Sequence, residues 1–247
     1  MNRTWTKTYS SPAAAAAAAV NYDWLRDVGQ ISVPDLIHRD GRDLVFAHVD
    51  GHHPAPADLP DLAVALARFH VEAHRKLAGA AMNEPHPTTS GLTIPGFSHR
   101  REQRLIELLA APNPPRTRLT AEAVRAWISH ADALPPAVYK DTNLRNILID
   151  QGSKPVNVDF DTLTLAPFGY DLAKLIVSAV MTYGSLATGT IGEMLDRYNV
   201  FLSQAALRPC AKDEFTAWIE MHHILTFPYL GRNGYRYSWI EVSAWHY

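Results

Sequence analysis

Hydrophobic and polar positions follow two regimes along the chain. Residues 4–9, Thr-Trp-Thr-Lys-Thr-Tyr, alternate with period two, so Trp5, Lys7 and Tyr9 share one face of a strand. A run of alanines, Ala13 to Ala19, then passes into Val20, Tyr22, Trp24 and Leu25 at helical spacing. Alanine is the best helix former, and Ser11-Pro12 suits a start with Ser at N-cap and Pro at N1, which predicts a helix from Pro12 to Asp27. Val33 to Ile37 reads as a strand ended by the hairpin signal Asp40-Gly41, and Leu44 to Val49 as the returning strand. The Gly/His/Pro stretch Asp50 to Pro56 breaks the pattern and is the best boundary, dividing residues 1–50 from 51–247.

Beyond it the period becomes helical. Residues 60–79 carry Leu62, Leu66, Phe69 and His70 on one side, and helices are predicted at 99–111 and 120–133, around the loop Pro112-Asn113-Pro114-Pro115. Residues 137–162 differ. They hold short β-rich runs at Val138-Tyr139, Ile147 to Ile149 and Val156 to Phe160, with a turn at Asp150-Gln151-Gly152. Helices return from Tyr170, one of them apolar from Phe215 to Phe227. No segment repeats.

Composition narrows the classes. A chain of 247 residues, 47% apolar, is one large domain or two small ones with a sizeable core. A formal net charge of -2 exerts no global pull on nucleic acid or an anionic membrane. The single cysteine, Cys210, excludes an intramolecular disulfide framework and suits a reducing, cytoplasmic setting. No stretch approaches the roughly 20 apolar residues of a membrane helix. The alanine run behind Arg3 and Lys7 loosely imitates a signal peptide, but its passage into helical spacing favours a helix of the folded protein.

The chemistry-bearing residues lie in the β-rich stretch. Asp141 and Asn146 stand five apart in a loop between β-like runs, and Asp159 follows at the end of another apolar strand. Two carboxylates and a carboxamide then converge at the mouth of a small hairpin. They are hard oxygen ligands of the kind that suits Mg²⁺. Phosphoryl transfer needs such a set: a carboxylate to align the attacking hydroxyl and take its proton, oxygens to hold Mg²⁺, and cations such as Lys7, Lys140 or Arg145. Taken singly, Asp141 reads equally as a turn residue and Asp159 as a strand end. Asp161 shares a face with Asp159 if the run stays extended, as a second metal ligand or a cap of the next turn. The histidine pairs His52-His53 and His222-His223 have no metal-ligand spacing and read as loop, helix or core residues. The tail from Tyr229 to Trp239, aromatic and basic, reads as a pocket wall or packing surface.

Asp-x-x-x-x-Asn at 141–146, Val-Asp-Phe-Asp at 158–161 and Tyr-Asp-Leu-Ala at 170–173 resemble, in order, the motifs of the aminoglycoside phosphotransferase and choline-kinase-like family. The resemblance implies an α+β, bilobal protein-kinase-like fold, with a reduced β-rich N-lobe at 1–50 and a mainly helical C-lobe at 51–247. It implies transfer of the γ-phosphate of ATP or GTP to a hydroxyl of a small molecule, with Mg²⁺. Asp141 matches the catalytic aspartate, Asn146 and Asp159 the metal-holding residues, and Asp171 an aspartate that braces the catalytic loop. Lys7 matches the lysine that grips the nucleotide phosphates. Leu44 to Val49 matches the strand entering the hinge, where backbone groups of Ala47 and Val49 hold an adenine edge.

The sequence departs from that family in three places. No Gly-rich phosphate loop precedes Lys7, so the small lobe is pared down or an upstream segment exists. The helix after Lys7 has no glutamate; the family position falls near Ala18, which leaves Lys7 unpaired or paired with Asp159. The usual histidine before the catalytic aspartate is Tyr139, and Arg145 either steadies the γ-phosphate or is a solvated loop charge. Carboxylates are scattered through residues 165–247 while aromatics are plentiful. That favours a less charged hydroxylated acceptor, such as an antibiotic or other sugar-bearing natural product, a nucleoside-type compound or a small alcohol, over a polycation. The missing Gly loop and glutamate also fit a binding or regulatory pseudokinase.

Overall fold

The structure is a computed structural model, and it describes residues 3–242. The chain begins with β1 (Thr4–Thr8), α1 (Pro12–Val28), β2 (Leu36–Asp40) and β3 (Asp43–Ala47). These strands form an antiparallel sheet in the order β1-β3-β2, with Lys7 opposite Leu44 and Trp5 opposite Phe46. Alternation along β3 buries Leu44 and Phe46 against α1, while Trp5 stacks on Phe46 at 5.7 Å. The Ser11 side chain accepts from the Ala14 N–H at the start of α1, as an N-cap should. The second strand lies at 36–40 rather than 33–37. The Tyr22 hydroxyl accepts from the Leu36 N–H and donates to the Pro34 carbonyl, which takes Pro34 out of the ladder.

After this sheet come β4 (Gly51–His52), α2 (Leu59–Lys76), β5 (His86–Pro87), β6 (Thr93–Ile94), α3 (Ser98–Leu109) and α4 (Ala121–Asp132). Then follow β7 (Pro136–Tyr139), β8 (Ile147–Asp150), β9 (Pro155–Asn157) and β10 (Thr164–Pro167). The chain ends with α5 (Tyr170–Tyr183), α6 (Thr190–Gln204), α7 (Lys212–Thr226) and α8 (Trp239–Val242). β8 and β9 make the expected hairpin, and β4 joins its far edge. Gly51 permits that junction, because a β-carbon there would stand 2.5 Å from the Ile149 carbonyl oxygen. β7 pairs instead with β10, a strand the sequence pattern did not mark. The run from Val156 leaves the extended ladder after Asn157, so Asp159 lies in a loop rather than on a strand end.

A continuous core joins the parts. Tyr22, Phe46 and Phe160 meet at 5.3–5.7 Å between centroids, which ties α1, the small sheet and the 159–161 loop together. α5 is buried along almost its whole length against β7 and α7. Among the described residues no helix is long and apolar enough to cross a membrane.

Candidate active site

The loop between β7 and β8 presents Asp141 in the left-handed backbone region, at φ 59°. A non-glycine residue there carries strain, which neighbouring contacts must offset. The Asp141 carbonyl accepts from the Asn143 N–H at 2.7 Å and from Asn146 Nδ2 at 3.0 Å. Below the loop, Asp171 at the start of α5 is fully buried. Its carboxylate accepts from the backbone N–H groups of Lys140 and Thr142 at 3.2 and 2.9 Å, and from the Thr142 hydroxyl at 2.6 Å. Burial pushes the Asp171 carboxyl up. His70, Lys140 and the Thr142 hydroxyl outweigh it and hold the pKa at about 2.

Asp141 itself is tied through one oxygen. The Tyr139 hydroxyl donates to Oδ1 at 2.9 Å, and Lys174 Nζ stands 3.5 Å from the same atom. Burial and the Asp141 charge push the Tyr139 phenol far above its ordinary range, so it remains a donor. Its ring stacks on His222 at 5.6 Å, and the Arg101 guanidinium lies 4.9 Å from the ring centroid on another side. Burial, with Lys174 nearby, drives His222 well below the usual imidazole value and keeps it neutral. His223, also buried, faces the Arg116 carbonyl at 2.9 Å. Both are core histidines.

Asn146 closes the other end of the loop. Its Nδ2 donates to the Asp141 carbonyl, which leaves Oδ1 as the acceptor of that side chain. The Val158 N–H donates to the Asn146 carbonyl at 2.9 Å and brings the 159–161 loop alongside. Lys7 Nζ then bonds Asp159 Oδ1 at 2.7 Å and Asp161 Oδ1 at 2.8 Å, and Tyr9 Oη donates to Asp161 at 3.0 Å. Burial alone would raise the Asp159 carboxyl; the Lys7 ammonium wins and holds it below the usual carboxylate range. Asp159 and Asp161 therefore share a face, as alternation predicts, although the segment is a loop.

Lys7 is thus paired, not free. Ala18, where the family carries glutamate, is buried and offers no polar group. One turn further along α1, Asn21 Nδ2 donates to the carbonyls of Phe160 at 2.9 Å and Asp161 at 3.3 Å. Asn21 thus ties α1 to the loop, which sequence reasoning missed. Lys174 was missed too, although a lone lysine in the apolar run of α5 was a visible signal.

Arg145 meets the tail. Its guanidinium lies on Gly234, 3.7 Å from where a β-carbon would stand, and Gly234 has φ 80°. The tail from Tyr229 packs at the Asp141 loop through Tyr235, whose hydroxyl accepts from Asn143 Nδ2 at 2.8 Å. On the opposite side the Ala47 N–H is taken by the Asp35 carbonyl at 2.8 Å, while Val49 follows β3 on a half-buried stretch.

Among the described residues no group of three His, Cys, Asp or Glu side chains has metal-holding geometry. The hard-oxygen set of Asn146, Asp159 and Asp161 nevertheless fits a small divalent cation. Its two carboxylates already converge on one positive charge, the Lys7 ammonium.

A small antiparallel sheet packed on one helix, a catalytic-type loop on a β-hairpin and a helical remainder define a bilobal, protein-kinase-like α+β fold with a reduced sheet. The chain matches the model of the phosphotransferase enzyme family over residues 6–208, and it belongs to that family. Solved structures agree on the fold. A macrolide 2'-phosphotransferase from Brachybacterium faecium superposes with a TM-score of 0.60 at 15% identity, covering 92% of this chain and 78% of that one. A choline kinase from Streptococcus pneumoniae gives 0.57 at 12%, covering 91% and 75%. An aminoglycoside phosphotransferase from Streptomyces rimosus, solved with ADP and streptomycin, gives 0.55 at 18%, covering 88% and 85%. No curated protein matches the sequence.

Proposed function

We propose that the protein transfers the γ-phosphate of ATP or GTP to a hydroxyl of a small molecule, with Asp141 as the base. The carrying observation is the convergence of Asp141, Asn146 and Asp159 through the Asn146–Asp141 and Val158–Asn146 bonds. The acceptor hydroxyl would approach Asp141 Oδ2, the oxygen not tied by Tyr139. As the acceptor oxygen bonds the γ-phosphorus, its proton passes to Asp141. The bond from phosphorus to the bridging oxygen breaks, and the nucleoside diphosphate leaves. Lys7 would turn from the carboxylates to the nucleotide phosphates. Asn146, Asp159 and Asp161 would hold Mg²⁺, which when bound supplies charge neutralisation to the phosphates. The Val49 backbone, with the Ala47 carbonyl, would meet the adenine edge near the 1–50/51–247 division. Arg145, beside the tail, would meet the acceptor end or the γ-phosphate.

The acceptor reading favours hydroxylated compounds of modest charge over polycations. The stretch from Tyr229 to Trp239 that meets the catalytic loop holds Arg232 and Arg236 and no carboxylate.

The test has two arms. Calorimetric titration with Mg-ATP and Mg-GTP reads nucleotide binding, and saturation at 100 times Kd should stabilise the fold by about 2.7 kcal/mol. Mass spectrometry over macrolides, aminoglycosides, nucleosides, sugars and amino alcohols then looks for the gain of one phosphoryl group. Asp141→Asn should bind nucleotide and transfer nothing. A pseudokinase reading draws on the missing helix glutamate; it predicts no modified product with any acceptor.

A further inference from the structure

α5 spans 14 residues, and only Asp171 and Lys174 in it carry charge. They stand three apart, so both point from one face of the helix. That face meets the catalytic loop. Asp171 holds the loop by its backbone, at residues 140 and 142. Lys174 meets the loop at the side chain that matters, with Nζ 3.5 Å from Asp141 Oδ1.

The lysine is fixed on its other sides as well. It is 9% exposed, its Nζ lies 3.4 Å from Thr226 Oγ1, and the Tyr235 ring centroid is 5.9 Å away. Tyr235 in turn bonds Asn143, two residues after Asp141. Burial would pull the Lys174 ammonium down, but Asp141 and Tyr235 outweigh it and leave its pKa above the usual lysine value. A charged lysine in an otherwise apolar helix costs desolvation energy that a leucine would avoid. Among the described residues its carboxylate partner is the proposed base.

Two donors, Tyr139 and Lys174, thus converge on Oδ1 from β7 and α5, whereas Oδ2 has no bond among the described residues. We infer that Lys174 is a positioning residue that fixes the Asp141 carboxylate with Oδ2 toward the acceptor. The inference rests on the phosphotransferase reading. It explains why the base is held in a left-handed backbone conformation without closing on its own loop: the side chain is pinned from below by a separate helix.

Lys174→Met keeps length and volume and removes the charge, and Lys174→Arg keeps the charge. On the acceptor that the wild type phosphorylates, kcat of Lys174→Met should fall about 100-fold, the cost of a base misplaced by about 1 Å. Mg-ADP affinity should be unchanged, and Lys174→Arg should recover much of the loss. An unchanged kcat in Lys174→Met overturns the inference, as does an equal loss of Mg-ADP affinity. If the wild type phosphorylates no acceptor, the phosphotransferase reading fails. The pairing is then decided by thermal unfolding of Lys174→Met, Asp141→Asn and the double variant. Non-additive shifts in Tm support the pair and additive shifts overturn it. If Lys174→Met does not fold, Lys174→Gln takes its place in both measurements.

Discussion

Asp141 and Asp159 lie on neighbouring loops, yet they are held in opposite ways. The Asp141 loop rests on three elements, half-buried Tyr139 of β7, buried Asp171 and Lys174 of α5, and buried His222 of α7 stacked on the tyrosine, and is closed from within by Asn146. Asp159 and Asp161 are held by Lys7, 21% exposed, from a strand at the sheet edge; their carboxylates, 34% and 45% exposed, are about as open as that of Asp141 at 38%, and the difference lies in the groups behind them. Ion pairs that wet are weak and exchange partners easily, while a satisfied buried network does not. On the proposed reading Asp141 would be preorganised as the base, while Lys7, Asp159 and Asp161 would be free to exchange one another for nucleotide and metal.

The sharpest way to break that contrast is at the base. Asp141→Asn should lower kcat by about 1,000-fold, the scale of a lost general base, with Mg-ADP affinity and circular dichroism retained. Comparable loss of nucleotide binding would show that the two loops act as one unit.

The next effect is on stability. Asp171→Asn removes the charge beneath the Asp141 loop and should cost about 3 kcal/mol in urea unfolding. The pH dependence follows in sign. The Asp171 pKa is depressed to about 2 from an unfolded value of about 3.9. Its stabilisation is fully present above about pH 4 and is lost as pH falls through about 2. Acid unfolding of Asp171→Asn should lack that component.

Lys7→Met should separate the two regions most cleanly. We expect about a tenfold rise in the Mg-ATP Kd, with a stability change within about 1 kcal/mol because the pair is partly solvated. A large drop in Tm would mean that the Lys7 cluster is as structural as Asp171. The smallest effect is Asn21→Ala, about 1 kcal/mol for a side-chain amide shared between two carbonyls, visible as a shift in the urea midpoint. No shift would place the α1–loop tie in the aromatic contact of Tyr22 with Phe160 alone.

The two regions also differ in how far sequence revealed them. That Asp141, Asn146 and Asp159 come together was legible because two short β-runs and a turn bring their loops to the mouth of one hairpin. Most helices were legible from period alone, for α2, α3 and α4 to within a few residues. The bracing groups were not. Asn21 meets Phe160 across 139 positions, and Tyr235 meets Asn143 across 92, pairings that no local pattern encodes. β10 was missed because Thr164 to Pro167 ends in proline and pairs over a long span with β7. The second strand was placed early because Val33-Pro34 looks extended. The Tyr22 hydroxyl takes the Pro34 carbonyl from outside the sheet, and the ladder starts at Leu36.

The burial of Cys210 has a practical consequence. Its thiol is 3% exposed, close to the Ala211 carbonyl, and burial raises its pKa far above the ordinary thiol value. Maleimide and methanethiosulfonate reagents react with accessible thiolate, so the native chain offers them almost no background. The alanine face of α1 is the complementary gift: Ala17 is exposed on the helix that backs the Lys7 sheet, and Arg100 is exposed on α3. Ala17→Cys with Arg100→Cys would carry a nitroxide pair without removing the native cysteine. Electron–electron distance spectroscopy could then follow how the small sheet and its helix travel as nucleotide is added.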